Sequence, residues 1–207
     1  EFTTLDVNPG MLKYRGANIQ ILDVPGLIEG AADGRGGGQE VLSVVRTADL
    51  AVFMLSVFEI DQYERLDQEL YNNNIRLDTD PPSIHIRQRH KNGIQVNKSD
   101  SVSLDESTIT EVLRQNGYVN AEITVRGDPS IDELVDGMMD NRVYIPSMVT
   151  VNKADLIDED YLPTVHENLR AHDLDPDDCV FISAEKEKGL DALTERGYIR
   201  EVEGEYV

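Results

Sequence analysis

Residues 17–39 read ANIQILDVPGLIEGAADGRGGGQ, and residues 149–155 read VTVNKAD. In both stretches a short apolar run ends at a carboxylate or amide that is followed by a turn. In the first, Asn18 to Leu22 alternates as a strand and gives way to Asp23-Val24-Pro25-Gly26. An Asp at the C-terminal end of a strand in an open α/β sheet stands where such folds bind ligands. Where the ligand is a nucleoside triphosphate, such an Asp holds Mg²⁺, usually through water. The following Gly lets its N–H approach the terminal phosphate. Read alone, the same four residues also suit a plain Pro-Gly turn.

In the second stretch the strand ends at Val151 and Asn152-Lys153-Ala154-Asp155 follows. A carboxylate there can accept both the N1–H and the N2–H₂ of guanine, a pattern adenine does not offer. The Asn side chain can brace neighbouring loops, and the Lys stem can lie against a purine ring. The bland alternative is a helix cap by Asn152 or Asp155. A third strand end, Ser183-Ala184-Glu185, could turn backbone N–H groups toward guanine O6. Each motif alone is a weak signal. Three of them, each ending a strand and in this order, point to a guanine nucleotide.

Outward from these stretches the chain alternates strands and helices. The turn-like Arg15–Gly16–Ala17–Asn18 predicts a hairpin over residues 5–22. Glycines 30, 34, 36, 37 and 38 predict a loop, with a helix from Gln39 to Thr47. Asp49 to Val57 and Val143 to Val151 are continuous apolar runs of the kind buried in parallel sheets. Tyr63, Leu66 and Leu70 define a helix over about 61–73, and Leu162, Val165 and Leu169 one from Asp160 to Ala171. Cys179 to Ser183 is the last clear strand. This alternation predicts an α/β domain with a mostly parallel sheet and flanking helices.

Residues 76–127 have another texture and predict a small inserted α+β domain of β-β-α-β order. Ile84/Ile86 and Ile94/Val96 alternate like a hairpin turning at Asn92–Gly93. Ile109, Val112 and Leu113 share a helical face, and Ala121 to Val125 is a strand. Beyond it, Ser130 and Glu133 form a capping-box pair. Ile131, Leu134, Val135, Met138 and Met139 then make an apolar helical stripe.

Composition narrows the function classes. The 207 residues carry 40 acids against 19 bases, a net charge of −21. That balance excludes a nucleic-acid glove spread over the whole surface. Arg outnumbers Lys by about two to one, and this acidic, Lys-poor surface predicts a salt-rich cytoplasm that screens self-repulsion. The single Cys179 makes no internal disulfide and reads as a core thiol. No apolar run reaches membrane length, and the expected location is cytoplasmic with no membrane partner. The four His residues lack metal-ligand spacing, so no zinc site is expected.

The stretches FTTL (2–5), YRGANIQILDVPGLIEGAADGRGGGQEVL (14–42), RTADL (46–50), IRLDTDPPSI (75–84), NRVYIP (141–146) and VNKAD (151–155) together resemble the developmentally regulated branch of the Obg-type GTPases. The resemblance covers about residues 1–193. It implies a P-loop nucleotide-hydrolase fold that binds GTP and GDP with Mg²⁺ and hydrolyses GTP as a switch in translation or on the ribosome. The GTPase domain would span 1–75 and 128–195, the ribosomal-protein-like insert 76–127, and a tail 196–207.

The catalytic positions it implies are Thr4, the switch I ligand of Mg²⁺ (with Thr3 the lesser candidate), and Gly26, the sensor of the γ-phosphate. Asp23 would hold Mg²⁺ from the second sphere. Asn152, Lys153 and Asp155 would read guanine, and Ser183 and Ala184 would close the base pocket. The glycine loop 30–38 would be switch II. Leu27 stands where Ras-like enzymes place a water-orienting Gln, and the resemblance groups this chain with GTPases lacking that Gln, several of which use K⁺.

Two departures from the family pattern stand out. No G-x-x-x-x-G-K-[ST] occurs anywhere in these 207 residues, so the phosphate-binding loop is expected upstream of Phe2, and the 207 residues by themselves are expected to bind GTP poorly and not to hydrolyse it. Nor does a TGS domain follow Leu193.

Residues 81–99 contain no acid and hold Arg87, Arg89, Lys91 and Lys98 with His85 and His90. This island suggests an RNA-facing or ribosome-facing patch; a solvated hairpin face is its bland alternative. A regulatory protein partner is also expected. Two rival functions remain open: a nucleotide-free RNA-binding or interaction module, and a phosphohydrolase or kinase in which Asp23 and Asp155 converge on one phosphate.

Overall fold

The computed structural model describes residues 8–24 and 38–198. In chain order it contains β1 (Asn8–Tyr14), β2 (Ala17–Asp23), α1 (Gly38–Val45), β3 (Ala51–Ser56), α2 (Gln62–Asn72), β4 (Ile75–Leu77), β5 (Ile84–Gln88), β6 (Ile94–Lys98), α3 (Glu106–Gln115), β7 (Ala121–Val125), α4 (Ile131–Asp136), β8 (Val143–Ile145), β9 (Ser147–Asn152), α5 (Leu162–Ala171), β10 (Val180–Phe181) and α6 (Leu190–Tyr198). The chain divides into two units, one of residues 1–79 with 145–207 and one of residues 80–144. No helix among the described residues is long and apolar enough to cross a membrane.

In the first unit, β9 lies between β10 and β3, and all three strands are parallel. Ser147 to Val151 are buried without alternation, as expected of a strand covered on both faces. The apolar run expected from Val143 to Val151 is split instead into β8 and β9. Pro146 stands at the break: it has no N–H to offer a ladder, and its carbonyl accepts from Ala51 N at 3.0 Å. One side of the sheet is closed by α6, where Leu190, Leu193 and Leu50 pack on Met148, Val180 and Ile182. Leu70 of α2 and Val165 and Leu169 of α5 are buried, and Tyr63 meets Phe53 edge-on at 5.0 Å.

The expected hairpin forms as β1 and β2, paired antiparallel from Asn8↔Asp23 to Tyr14↔Ala17. Arg15 (φ 46°) and Gly16 (φ 86°) take the two left-handed positions that a two-residue hairpin turn demands. The tip packs on α6: Arg15 reaches Glu195 at 2.6 Å, and Tyr14 meets Tyr198 edge-on at 5.5 Å. Among the described residues β2 pairs only with antiparallel β1 and makes no ladder with β3.

The second unit departs more from its expectation. Its sheet order is β5–β7–β6, with β7 antiparallel to β5 and parallel to β6. The strands β5 and β6 therefore do not pair as a hairpin, although Asn92 (φ 82°) and Gly93 (φ 68°) do turn the chain. The centre goes to β7 because Ala121, Ile123 and Val125 are the most apolar row available, and each is completely buried.

The same core takes in Ile109 and Leu113 of α3, Leu134 of α4, and, at its edge, Met138. Residues 128–144 thus pack with the second unit, which covers 80–144. The helix starts are locally determined. Asp105 accepts from Thr108 N at 2.6 Å, and Ser130 and Glu133 make both halves of the capping box. Helix α4 ends at Asp136, short of Met138 and Met139, and Ile131 is about half exposed.

Where the chain leaves the first unit and returns to it, Asp78 (φ 50°) acts as a clasp. Its N–H donates to Ile145 O at 3.1 Å, and its carboxylate accepts from Ser147 N at 2.8 Å and from the Ser147 hydroxyl.

Candidate functional site

The parallel sheet brings two of the three sequence motifs together at the ends of β9 and β10. Asn152 is the last residue of β9. Lys153 then takes a left-handed conformation (φ 65°, ψ 27°), which turns the chain into a 3₁₀ turn over Ala154–Leu156. A non-glycine residue rarely adopts this region, and here the surroundings hold it. Asn152 Oδ1 accepts from Lys153 N at 2.7 Å, and Ala154 N donates to Ile182 O at 3.0 Å.

The second loop is tied to the first by side chains. Asn152 Oδ1 also accepts from Ala184 N at 3.1 Å. Ser183, 2% exposed, stands beside the Asp155 carboxylate and accepts from Lys186 N at 3.1 Å. Ser183 and Lys188 exchange two backbone hydrogen bonds of 3.0 Å, closing the loop on itself. Gly189 permits that closure: it sits at φ 74°, and a Cβ there would lie 2.4 Å from the Phe181 carbonyl oxygen.

The electrostatic result is a fixed anion. The Ser183 hydroxyl, then the backbone N–H of Asp155 itself and the nearby Lys186 and Lys188, hold the Asp155 carboxyl below the usual carboxylate range. Asp155 therefore remains an acceptor at neutral pH, with lone pairs beyond the one that Ser183 uses. That donor-seeking edge fits the N1–H and N2–H₂ of guanine. The Ala184 N–H is already engaged by Asn152, so among the described residues the open donor of the loop is the Glu185 N–H.

Lys186 and Lys188 are contributors that sequence reasoning missed. In the sequence they appear only as an alternating E-K-E-K run. Their position beside Asp155 follows from the closed loop.

The remaining predicted residues are placed differently. Asp23 ends β2, is exposed, and sits opposite Asn8 in the hairpin. Thr3, Thr4, Gly26, Leu27 and residues 30–37 of the glycine loop lie outside the described residues.

The basic island is redistributed. Lys98 Nζ donates to the carbonyls of Val102 at 3.0 Å and Leu104 at 2.7 Å, so it braces a loop. Arg89 is ion-paired with Glu122 and donates to Gln95 at 2.7 Å. Arg87 and Lys91 are exposed.

Comparison with known proteins shows what the chain is similar to. Residues 1–88 match the family described as "50S ribosome-binding GTPase", and residues 91–200 match the one described as "C-terminal region of MMR_HSR1 domain". An uncharacterized GTP-binding protein of Halobacterium salinarum is 63% identical over 95% of this chain and 53% of its own length. Developmentally-regulated GTP-binding protein 1 of Xenopus laevis is 38% identical over 95% of this chain and 52% of its own. Developmentally-regulated G-protein 3 of Arabidopsis thaliana is 38% identical over the same shares. The chain spans about half the length of these relatives. With a parallel α/β sheet and matches along nearly its whole length, the chain belongs to the P-loop GTP-binding protein family that includes the developmentally regulated GTP-binding proteins.

Proposed function

We propose that this chain is the guanine-reading part of a cytosolic switch that hydrolyses GTP and works in translation or on the ribosome. Asp155 accepts the guanine N1–H and N2–H₂, Asn152 holds the Ser183–Ala184 loop against the base, and the Lys153 stem covers the ring. The Glu185 N–H donates to O6 in place of the engaged Ala184 N–H. The single observation that carries the reading is the side-chain tie from Asn152 to the Ala184 N–H, which joins two strand-end loops beside one anionic acceptor, Asp155.

Mg²⁺ when bound supplies charge neutralisation at the β- and γ-phosphates. Asp23 and Thr4 would hold it, and Gly26 would sense the γ-phosphate. A monovalent cation such as K⁺ would substitute for the Gln that Leu27 replaces. A phosphate-binding loop from outside the 207 residues completes the site, so the isolated chain does not hydrolyse GTP. Among the described residues β2 and β3 each keep one edge without a ladder, which supports this, since a further strand there would carry such a loop. Of the basic island Arg87, Arg89, Lys91 and Lys98, the exposed Arg87 and Lys91 meet RNA or the ribosome while Arg89 and Lys98 brace the insert, and a regulatory protein acts as a further partner.

The test is a titration of labelled GTP, ATP and xanthosine triphosphate with the full gene product in KCl and Mg²⁺. GTP is expected to bind selectively. Asp155→Asn is expected to weaken GTP about tenfold to hundredfold, the cost of a charged hydrogen-bonding partner. It should also gain xanthosine triphosphate, because an amide offers an N–H where xanthine carries an oxygen. Equal binding of GTP and ATP by the unchanged protein would overturn the reading.

A further inference from the structure

The register of the insert sheet assembles a surface that the sequence does not display. Side chains alternate across a sheet, and the inward row of each strand is filled by Ile84 and Ile86, Ile94 and Val96, and Ala121, Ile123 and Val125. The opposite face is therefore polar. His85 stands beside Thr124, which stands beside Asn97. Arg87 stands beside Glu122, which stands beside Gln95. At one end Arg126 N donates to Ser83 O at 3.0 Å, which brings Arg126 beside the first residues of β5. There Ser83, His85, Thr124 and Arg126, with Pro82 and Ile84, line an open hollow of about 370 Å³.

Charge sorts these groups. The one carboxylate of the face, Glu122, is engaged by Arg89 and by Asn97 at 3.1 Å, and Arg89 holds it below the usual carboxylate range. Arg126 and Arg87 are exposed, and neither makes a side-chain hydrogen bond or ion pair among the described residues. Lys91 lies beyond the far end of β5. Lys98, by contrast, is occupied within the loop it braces. From Ser83 to Arg89 the strand advances roughly 20 Å at about 3.3 Å per residue. This row of cations lies on a chain of net charge −21, so the attraction is short-ranged. At about 0.1 M salt, charges more than roughly 10 Å away are largely screened.

We propose that this face docks the phosphate backbone of duplex RNA, with Arg126 and Arg87 as phosphate anchors, Lys91 as a third, and the hollow at Arg126 as the seat of one phosphate. The side-chain amides of Gln95 and Asn97 and the hydroxyls of Ser83 and Thr124 supply partners for 2′-hydroxyls. His85 is the one aromatic ring among the outward positions of the three strands, and reading of single strands stacks two or three successive bases on such rings, so backbone and shape recognition of a duplex fits the face better. The inference rests on the RNA-facing reading of the insert given above and changes its anchors: Arg126 enters, and Lys98 leaves.

The test uses the 207-residue chain without nucleotide and a 20-base-pair RNA duplex, followed by fluorescence anisotropy over a KCl series. Arg126→Gln and Arg87→Gln are each expected to weaken binding several-fold and to reduce the slope of log K against log[KCl] by about 0.9, one phosphate contact each. Arg114→Gln serves as the charge-matched control, since Arg114 lies in the last turn of α3, which packs on the inner face; it should change neither. Circular dichroism confirms that each variant is folded.

If RNA binds but Arg126→Gln and Arg114→Gln behave alike, this inference falls and the broader RNA reading stands. If the duplex does not bind at any salt, both fall. Tighter binding of single-stranded RNA or of poly-glutamate than of the duplex also overturns it. None of these outcomes touches guanine selectivity, which the Asp155→Asn titration reads separately.

Discussion

The two three-stranded sheets of this protein bury their centres differently. In β10–β9–β3 the central strand is covered on both faces, and Ser147 to Val151 show no alternation. In β5–β7–β6 the central strand alternates, with Ala121, Ile123 and Val125 buried and Glu122 and Thr124 partly exposed. A strand covered on both faces has no wet surface along its length. Its chemistry is pushed to its end, where the chain turns and Asn152, Asp155 and Ser183 gather. A strand covered on one face keeps its polar row in water, and there a whole surface can act. The first arrangement suits one small planar ligand; the second suits an extended charged one.

The largest expected effect probes whether the two sheets are separate cores. Leu55, 1% exposed, sits in the first and Ile123, completely buried, in the second. Leu55→Ala and Ile123→Ala should each cost about 2–5 kcal/mol, the usual range for truncating a buried aliphatic side chain. Hydrogen exchange read segment by segment should then show each substitution loosening its own unit more than the other. Equal loosening of both units by either change would break the comparison and make the chain one cooperative block.

A smaller effect belongs to the clasp between them in sequence. Asp78→Ala leaves the Ser147 N–H and hydroxyl without their acceptor, and Ser147 is 4% exposed. A buried donor left unpaired costs about 1–3 kcal/mol, to be read as a lowered urea midpoint. An unchanged midpoint would mean that water replaces the carboxylate.

The smallest effect sharpens the picture of the first unit through pH. Burial, and then the neighbouring Asp78, push the Asp67 carboxyl above its ordinary value. A raised carboxyl binds its proton more tightly when folded. Its contribution to stability is present below the unfolded pKa and is lost as pH rises through the folded one. Asp67→Asn should therefore raise the melting temperature at pH 7, and the gain should shrink on acidification into the carboxylate range. A gain that does not vary with pH would assign the effect to packing. The same desolvation pushes the Tyr63 hydroxyl up to about 12, so that group stays protonated throughout.

Features whose free energy is local were legible in the sequence. The hairpin turn at Arg15–Gly16 needs two residues that accept positive φ. The Ser130–Glu133 capping box needs two side chains three residues apart. The motifs Asn152 to Asp155 and Ser183 to Ala184 follow directly from apolar runs, and runs of that length are strands. Their grouping at neighbouring strand ends follows from parallel order, which alternating strands and helices already imply.

Tertiary structure decided what depends on competition between distant segments. Which strand takes the centre of the insert is a contest for the most buried slot. The row Ala121, Ile123, Val125 wins it over a local hairpin of β5 with β6. That outcome, set by burial across the whole unit, draws residues 128–144 into the insert through Leu134 and places Arg126 beside Ser83. Likewise, whether the Ala184 N–H is open to a ligand depends on the reach of Asn152, which is 32 residues away in sequence. Composition and periodicity thus determined which segments are strands and helices and which chemical groups end them. Neighbours, and with them the exact donors and cations a ligand meets, were decided only when those segments competed for one core.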